Sequence, residues 1–233
     1  MTDARTITLP GESATYRAAR NDLLAAESAL RRQIEAVAEQ RRALPPGGAV
    51  KEDYRFTEAA TDAPVHLSEL FAPAKDCLVI YGFMFSPGAS PCPLCCAFLD
   101  SFDGAAPHIT RRVNLAVVAK ASSEELRDWA EHRGWRNLRL LSSAGTSYNT
   151  DYLTETPSGD QVPIVNVFQR DQDGIRHRYA TELFFAPSEP GQNPRHVDML
   201  WPLWTTLDLT PAGRGDWYPA LDYGQETSPA RHS

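Results

Sequence analysis

Two kinds of hydrophobic pattern alternate along the chain, and they predict different elements. Over residues 14–44 apolar positions recur every seven residues, at Tyr16, Leu23, Leu30, Val37 and Leu44. Ala26 and Ile34 widen the stripe, while Arg, Glu and Gln fill the other faces. That spacing predicts one long helix, which Pro45-Pro46-Gly47-Gly48 ends. Beyond it the apolar residues gather into short runs of strand length at Cys77–Phe85, Asn114–Ala119 and Val162–Arg170, with shorter stretches at Tyr54–Thr57 and Leu138–Ser142. Between them, helical patterns run from about Cys92 to Phe102 and from the capping-box sequence Ser122-Ser123-Glu124-Glu125 to Arg133, where Gly134 stops the second. Asp171-Gln172-Asp173-Gly174 reads as a hairpin turn into a return strand, Ile175–Thr181. Ser68–Phe71 reads as a single helical turn. The polar segments 144–160 and 185–194 read as loops. Arg195–Leu207 reads as a last helix with Val197, Leu200, Leu203 and Trp204 inward, which Pro202 bends.

The order is strand, helix, strand, helix, strand, then a hairpin and a helix. Strand–helix alternation requires a parallel segment, and the late hairpin adds antiparallel strands. The expected class is therefore α/β: a thioredoxin-like mixed sheet flanked by helices, with a long N-terminal helix. The expected organisation is a helical extension and linker over 1–48, one domain over 49–210 and an irregular tail over 211–233. A lone helix of this length gains little without a partner surface, so the N-terminal stripe is a candidate homodimer contact. Its alternative is packing on its own domain.

Charge and composition then narrow the partners. A formal charge of −7 argues against nucleic acid as the main partner, since binding phosphates needs a basic surface. No apolar stretch approaches the ~18 residues that a membrane-spanning helix needs. The N-terminus MTDARTITLPGESA lacks a charged segment followed by an apolar one, so no signal peptide is visible and a cytoplasmic location is expected. No cofactor is expected. Of the four cysteines, Cys92, Cys95 and Cys96 crowd into five positions, unlike the spread-out cysteines of a disulfide scaffold.

That crowding carries the candidate chemistry. Cys92-Pro93-Leu94-Cys95 opens a helix that follows a buried strand, which is where thiol–disulfide chemistry is usually placed. Unpaired N–H groups and the positive end of the helix dipole favour a thiolate on the first cysteine, and such thiols fall from about 8.5 to roughly 3.5–7.5 in pKa. The motif makes Cys92 the attacking thiolate and Cys95, one turn on, the resolving thiol. Pro163 stands directly before an apolar strand, where thioredoxin-like proteins hold a cis-proline facing the C-x-x-C, so a cis bond is expected there. Its plainer reading is a strand-initiating proline.

The remaining cysteines and histidines are open to other readings. Cys96 reads as a small buried hydrophobe or a substitute resolver, and Cys77 as structural. The peroxidase signature P-x-x-x-T/S-x-x-C fits none of Cys92, Cys95 or Cys96. Cys92 and Cys96 also form a C-x-x-x-C, the spacing of Sco-type copper chaperones, with His177 or His196 as the third ligand. A last class is a scaffold without cysteine chemistry, in which aromatics such as Trp217 and Tyr218 meet partners or cover core edges.

Several segments resemble the thioredoxin-like bacterial domain-of-unknown-function family 899. They are RRALP at 41–45, YGFMFSPG at 81–88 before CPLC, GAAPH at 104–108 and SSAGTSYNTDY at 142–152. The hairpin VFQRDQDGIRHRYAT and the closing VDMLWPLWTTLDLTPAGR at 197–214 extend the resemblance over nearly the whole chain. It implies a thioredoxin-like fold related to the peroxiredoxin-type branch, and no established substrate. The expected activity is dithiol–disulfide exchange with a protein or small-molecule thiol or disulfide.

Overall fold

Ser13 fixes the start of the first helix, α1 (Ala14–Ala43), by accepting a hydrogen bond from the Tyr16 N–H at 3.1 Å. Arg41 and Arg42 lie in its last turn, where positive charge suits the helix dipole. None of its 30 residues is buried, and Tyr16, Leu23, Leu30 and Ile34 are all exposed. The computed structural model describes residues 8–184, 189–191, 200–213 and 215–223. It divides into two units, Met1–Pro45 and Pro46–Ser233.

The second unit is built on a seven-stranded sheet. Its strands are β1 (Arg55–Glu58), β2 (Pro64–His66), β3 (Cys77–Gly82), β4 (Asn114–Ala119), β5 (Leu140–Ser142), β6 (Ile164–Asp171) and β7 (Gly174–Ala180). They lie in the order β2-β1-β5-β4-β3-β6-β7. The β3–β4 and β4–β5 pairs are parallel, and the other pairs are antiparallel. The helices are α2 (Pro93–Ile109) after β3, α3 (Ser123–Arg133) after β4, α4 (Tyr148–Asp151) after β5 and α5 (Pro202–Leu207). Strand, helix, strand, helix, then an antiparallel hairpin beside the first of those strands is the thioredoxin-like arrangement that the sequence predicts.

Period-2 alternation sorts the core. From β3, Tyr81 faces one side with Val117 and Ala119 of β4 and Val165 of β6; α2, α3 and α5 cover that side through Phe98, Leu99, Leu126 and Trp204. Leu78 and Ile80 face the other side with Ala116, Val118 and Phe168, beneath Tyr54, Phe56 and Tyr148. Burying each large apolar side chain contributes about 1.5–3 kcal/mol before entropy is counted.

Four elements differ from the sequence reading. The short edge strand β2 is not signalled by three residues with one buried side chain. Helix α2 passes Phe102 and continues to Ile109, although Pro107 removes one N–H donor from its last turn. The segment 144–160 is only partly loop, since it holds α4 and buries residues 148–149 and 154–155. Ser143 Oγ donates to Asn149 Oδ1 at 2.7 Å, and Asn149 and Thr154 are buried. Gly82 makes room for it, since a Cβ there would overlap the Thr154 side chain. The predicted last helix is corrected where it can be seen: Leu200 is exposed rather than inward, Trp201 is an extended N-cap, and Pro202 begins α5 rather than bending a longer helix, while residues 192–199 lie outside the described residues.

Candidate functional site

The C-terminal ends of β3, β4 and β5 and the start of β6 meet at one edge of the sheet. The chain leaving β3 stays anchored there. The Phe83 N–H donates to the Val118 carbonyl, and the Phe85 carbonyl accepts from the Ala121 N–H, both at 2.9 Å. The following loop turns at Gly88, whose φ of 70° suits glycine. The Gly88 N–H donates to the Glu125 carboxylate at 2.6 Å. Glu125 also closes the capping box of α3 with Ser122, and these hydrogen bonds hold its carboxyl below the usual carboxylate range. One residue thus caps α3 and ties down the loop that presents the cysteines.

Cys92 is the N-cap of α2, with Pro93 in the first helical position. Its own N–H donates to the Met84 carbonyl at 3.0 Å, and its Sγ accepts from the Cys95 N–H at 3.5 Å. Its pKa is lowered to about 6, first by a hydrogen bond from the Cys95 thiol and then by the backbone N–H groups of Cys95 and Leu94, against a burial cost that raises it. The leading cause is therefore a neighbouring thiol, with helix-terminus N–H groups second.

Cys95 is fully buried, and burial together with its bond to Cys92 raises its pKa well above that of an ordinary thiol. The Tyr81 hydroxyl and the Met84 N–H donate to its sulfur and oppose that rise. Cys96 is also buried and is pushed up to about 12, although its Sγ accepts from Trp129 Nε1 at 3.3 Å. Burial likewise pushes up Cys77 at the start of β3. None of the four cysteines is joined in a disulfide.

Pro163 immediately precedes Ile164, which pairs with Gly82, so it lies at the sheet edge where the cysteine loop begins. The expected cis bond is a correction: the peptide before Pro163 is trans, as is every other among the described residues. Val162 donates its N–H to the Thr154 carbonyl at 2.8 Å, and the β6 ladder starts two residues later. An extended trans chain satisfies both, and trans is the lower-energy isomer by about 0.5–1 kcal/mol.

The copper-type ligand set does not assemble with His177. Its Nε2 bonds Asn166 Oδ1 at 2.9 Å, and its ring packs on Tyr152 and Phe168. Phe168 belongs to the opposite face of the sheet from Cys92 and Cys96. His196 lies outside the described residues. Among those described, no three His, Cys, Asp or Glu side chains gather as a metal site. None of their helices is long and apolar enough to cross a membrane.

Sequence reasoning missed Tyr81, Glu125 and Trp129 as parts of this site. The available signal was the alternation of β3, which puts Tyr81 on the face covered by the C-x-x-C helix.

The family described as "Bacterial protein of unknown function (DUF899)" matches residues 7–227. The chain belongs to this family. No curated protein matches it. Among solved structures, this DUF899 chain is similar to PrxQ of Xylella fastidiosa, at 13% identity over 59% of this chain and 84% of that one, with a TM-score of 0.44. Peroxidoxin BcpB from Mycobacterium tuberculosis shares 18% identity over 59% and 84%, with a TM-score of 0.42. The exposed lipoprotein thioredoxin Etrx1 from Streptococcus pneumoniae shares 14% over 61% and 91%, with a TM-score of 0.40.

Proposed function

We propose that this protein is a dithiol–disulfide oxidoreductase in which Cys92 attacks and Cys95 resolves. The observation that carries the reading is the divergence of two thiols one helical turn apart. Cys92, half-buried at a helix N-cap, has a pKa near 6, whereas Cys95 is fully buried and held protonated. A partly accessible thiolate beside a protonated thiol is the starting state for exchange.

The Cys92 thiolate attacks a substrate disulfide, forms a mixed disulfide and releases one substrate thiolate, which takes a proton. Cys95 then loses its proton and attacks the Cys92 sulfur. The Cys92–Cys95 bond forms, and the second substrate thiolate leaves and is protonated. The protein dithiol gives up two electrons and the substrate disulfide gains them. The substrate class is a protein or small-molecule disulfide.

The test is reduction of a small aromatic disulfide by the reduced full-length chain, with mass spectrometry of the product. Wild type should end with an intramolecular Cys92–Cys95 bridge. Cys92→Ser should lose the exchange, Cys95→Ser should accumulate the mixed disulfide, and Cys96→Ser should behave as wild type. A Cys92 that reacts no faster than an ordinary thiol near neutral pH would refute the proposal, and would leave the fold without cysteine chemistry.

A further inference from the structure

Closing the disulfide poses a problem that Cys95 cannot solve alone. Its sulfur is shielded from solvent, yet it must carry negative charge to attack Cys92. In the reduced protein its thiol donates to the Cys92 sulfur. Once Cys92 is held in a mixed disulfide, that sulfur is neutral and a much poorer acceptor. The donors still aimed at Cys95 are then the Met84 N–H and the Tyr81 hydroxyl.

Tyr81 is well placed for such a duty. It is in the middle of β3, paired with Val117 of β4 on one side and Val165 of β6 on the other. It has no solvent exposure, and its ring lies against Phe98 of α2 at 4.8 Å between centroids. The two flanking ladders fix its Cα and the Phe98 contact fixes its ring, so its hydroxyl is preorganised toward the sulfur.

We infer that the Tyr81 hydroxyl is a catalytic hydrogen-bond donor to Cys95, stabilising the thiolate that closes the Cys92–Cys95 disulfide. This rests on the dithiol reading above. The hydroxyl keeps its own proton throughout. The proton lost by Cys95 goes to the departing substrate thiolate, and Tyr81 lowers the energy of the charged sulfur in between. Burial and the neighbouring thiols keep the phenol far from ionisation, so it acts as a donor and never as a base. The titratable groups acting on it are Cys95 and Cys96 of α2 and Cys92 at its N-cap.

The experiment follows both thiolate releases when the reduced full-length chain, in a Cys96→Ser background, meets one equivalent of 5,5′-dithiobis(2-nitrobenzoate). The first release reports attack by Cys92 and the second reports closure by Cys95. Tyr81→Phe should slow the second release about tenfold, as loss of a charge-assisted hydrogen bond requires, and displace its pH profile upward. The first release should stay within about threefold. An unchanged second phase, or both phases slowed in parallel with an unmoved pH profile, would overturn the inference. A wild type that gives no second release would sink the dithiol reading itself, whatever Tyr81→Phe does. If Tyr81→Phe loses its near-ultraviolet dichroism, 3,5-difluorotyrosine at position 81 replaces it. That side chain keeps the ring and is a stronger donor, so the second-phase profile should move downward; no movement would refute the inference equally.

Discussion

Replacing Cys95 with alanine should raise the pKa of Cys92 more than any change at the helix terminus short of removing Cys92. The reason is that the Cys95 thiol is the leading cause of the low value, ahead of the N–H groups of Cys95 and Leu94. A hydrogen bond to a charged group contributes about 1.5–3 kcal/mol, and about 1.4 kcal/mol corresponds to one pKa unit, so the midpoint should climb by roughly 1–2 units. With a wild-type midpoint of about 6, roughly three-quarters of Cys92 is thiolate at about pH 6.5. In Cys95→Ala that share falls to roughly a quarter or less. The assay is the ultraviolet absorbance of the thiolate followed from acid to neutral pH on the reduced protein. It reads one sulfur in wild type, since Cys77, Cys95 and Cys96 are all pushed upward and stay protonated in that range. Alanine leaves the backbone donors in place, so any shift belongs to the thiol. A Cys95→Ala midpoint equal to that of wild type would show that backbone N–H groups dominate. A wild-type midpoint near 8.5 would refute the electrostatic reading of the site.

Two further outcomes are expected elsewhere. Burial holds the pKa of His177 below 6.5, so beneath that value the unfolded chain binds more protons than the folded one, and stability should fall as pH drops. Urea midpoints at neutral and mildly acidic pH should show this loss in a Cys92→Ser background, which removes the overlapping titration of Cys92, and His177→Gln should flatten it; equal slopes in both proteins would assign the pH dependence to other groups. We also expect α1 to pair with a second copy through its seven-residue stripe, since it buries none of its own residues; light scattering should give a dimer for the full chain and a monomer for Leu23→Glu with Leu30→Glu, and a monomeric wild type at tens of micromolar would refute the pairing.

The parts of the fold legible in the sequence are those where local chemistry and tertiary context agree. Helix α3 has a capping box at Ser122 and a left-handed Gly134 at its end, and it begins and stops where those signals put it. β4 reads as Asn114 followed by five apolar residues and is buried along its whole length. The segment 144–160 misled because its Ser, Thr and Asn residues look like those of a solvated loop. Here they satisfy one another inside the protein: Ser143 holds Asn149, and Thr154 packs over Gly82. Pairing between residues far apart in sequence leaves no periodic trace, and β2 has that difficulty. The place of Cys92 at a helix start could be read from C-P-L-C. The main cause of its acidity could not, since that depends on where the Cys95 hydrogen points.

The three clustered cysteines divide by what each can reach. Cys95 and Cys96 follow Cys92 by three and four residues, and both spacings put a side chain near the first turn of a helix. Sequence spacing therefore leaves either as a resolver. The packing separates them. The Cys96 sulfur accepts from the Trp129 indole of α3, while Cys95 faces the β3–β4 core, where its thiol bonds Cys92 and receives the Tyr81 hydroxyl. A thiolate on Cys95 would find two donors already aimed at it, and one on Cys96 would find the indole N–H of Trp129 and the nearby charge of Arg133. Titratable neighbours driven apart by their surroundings take different roles in a reaction. By that argument the proposed exchange falls to the C-x-x-C pair, and the expected role of Cys96 is to fill space between α2 and α3.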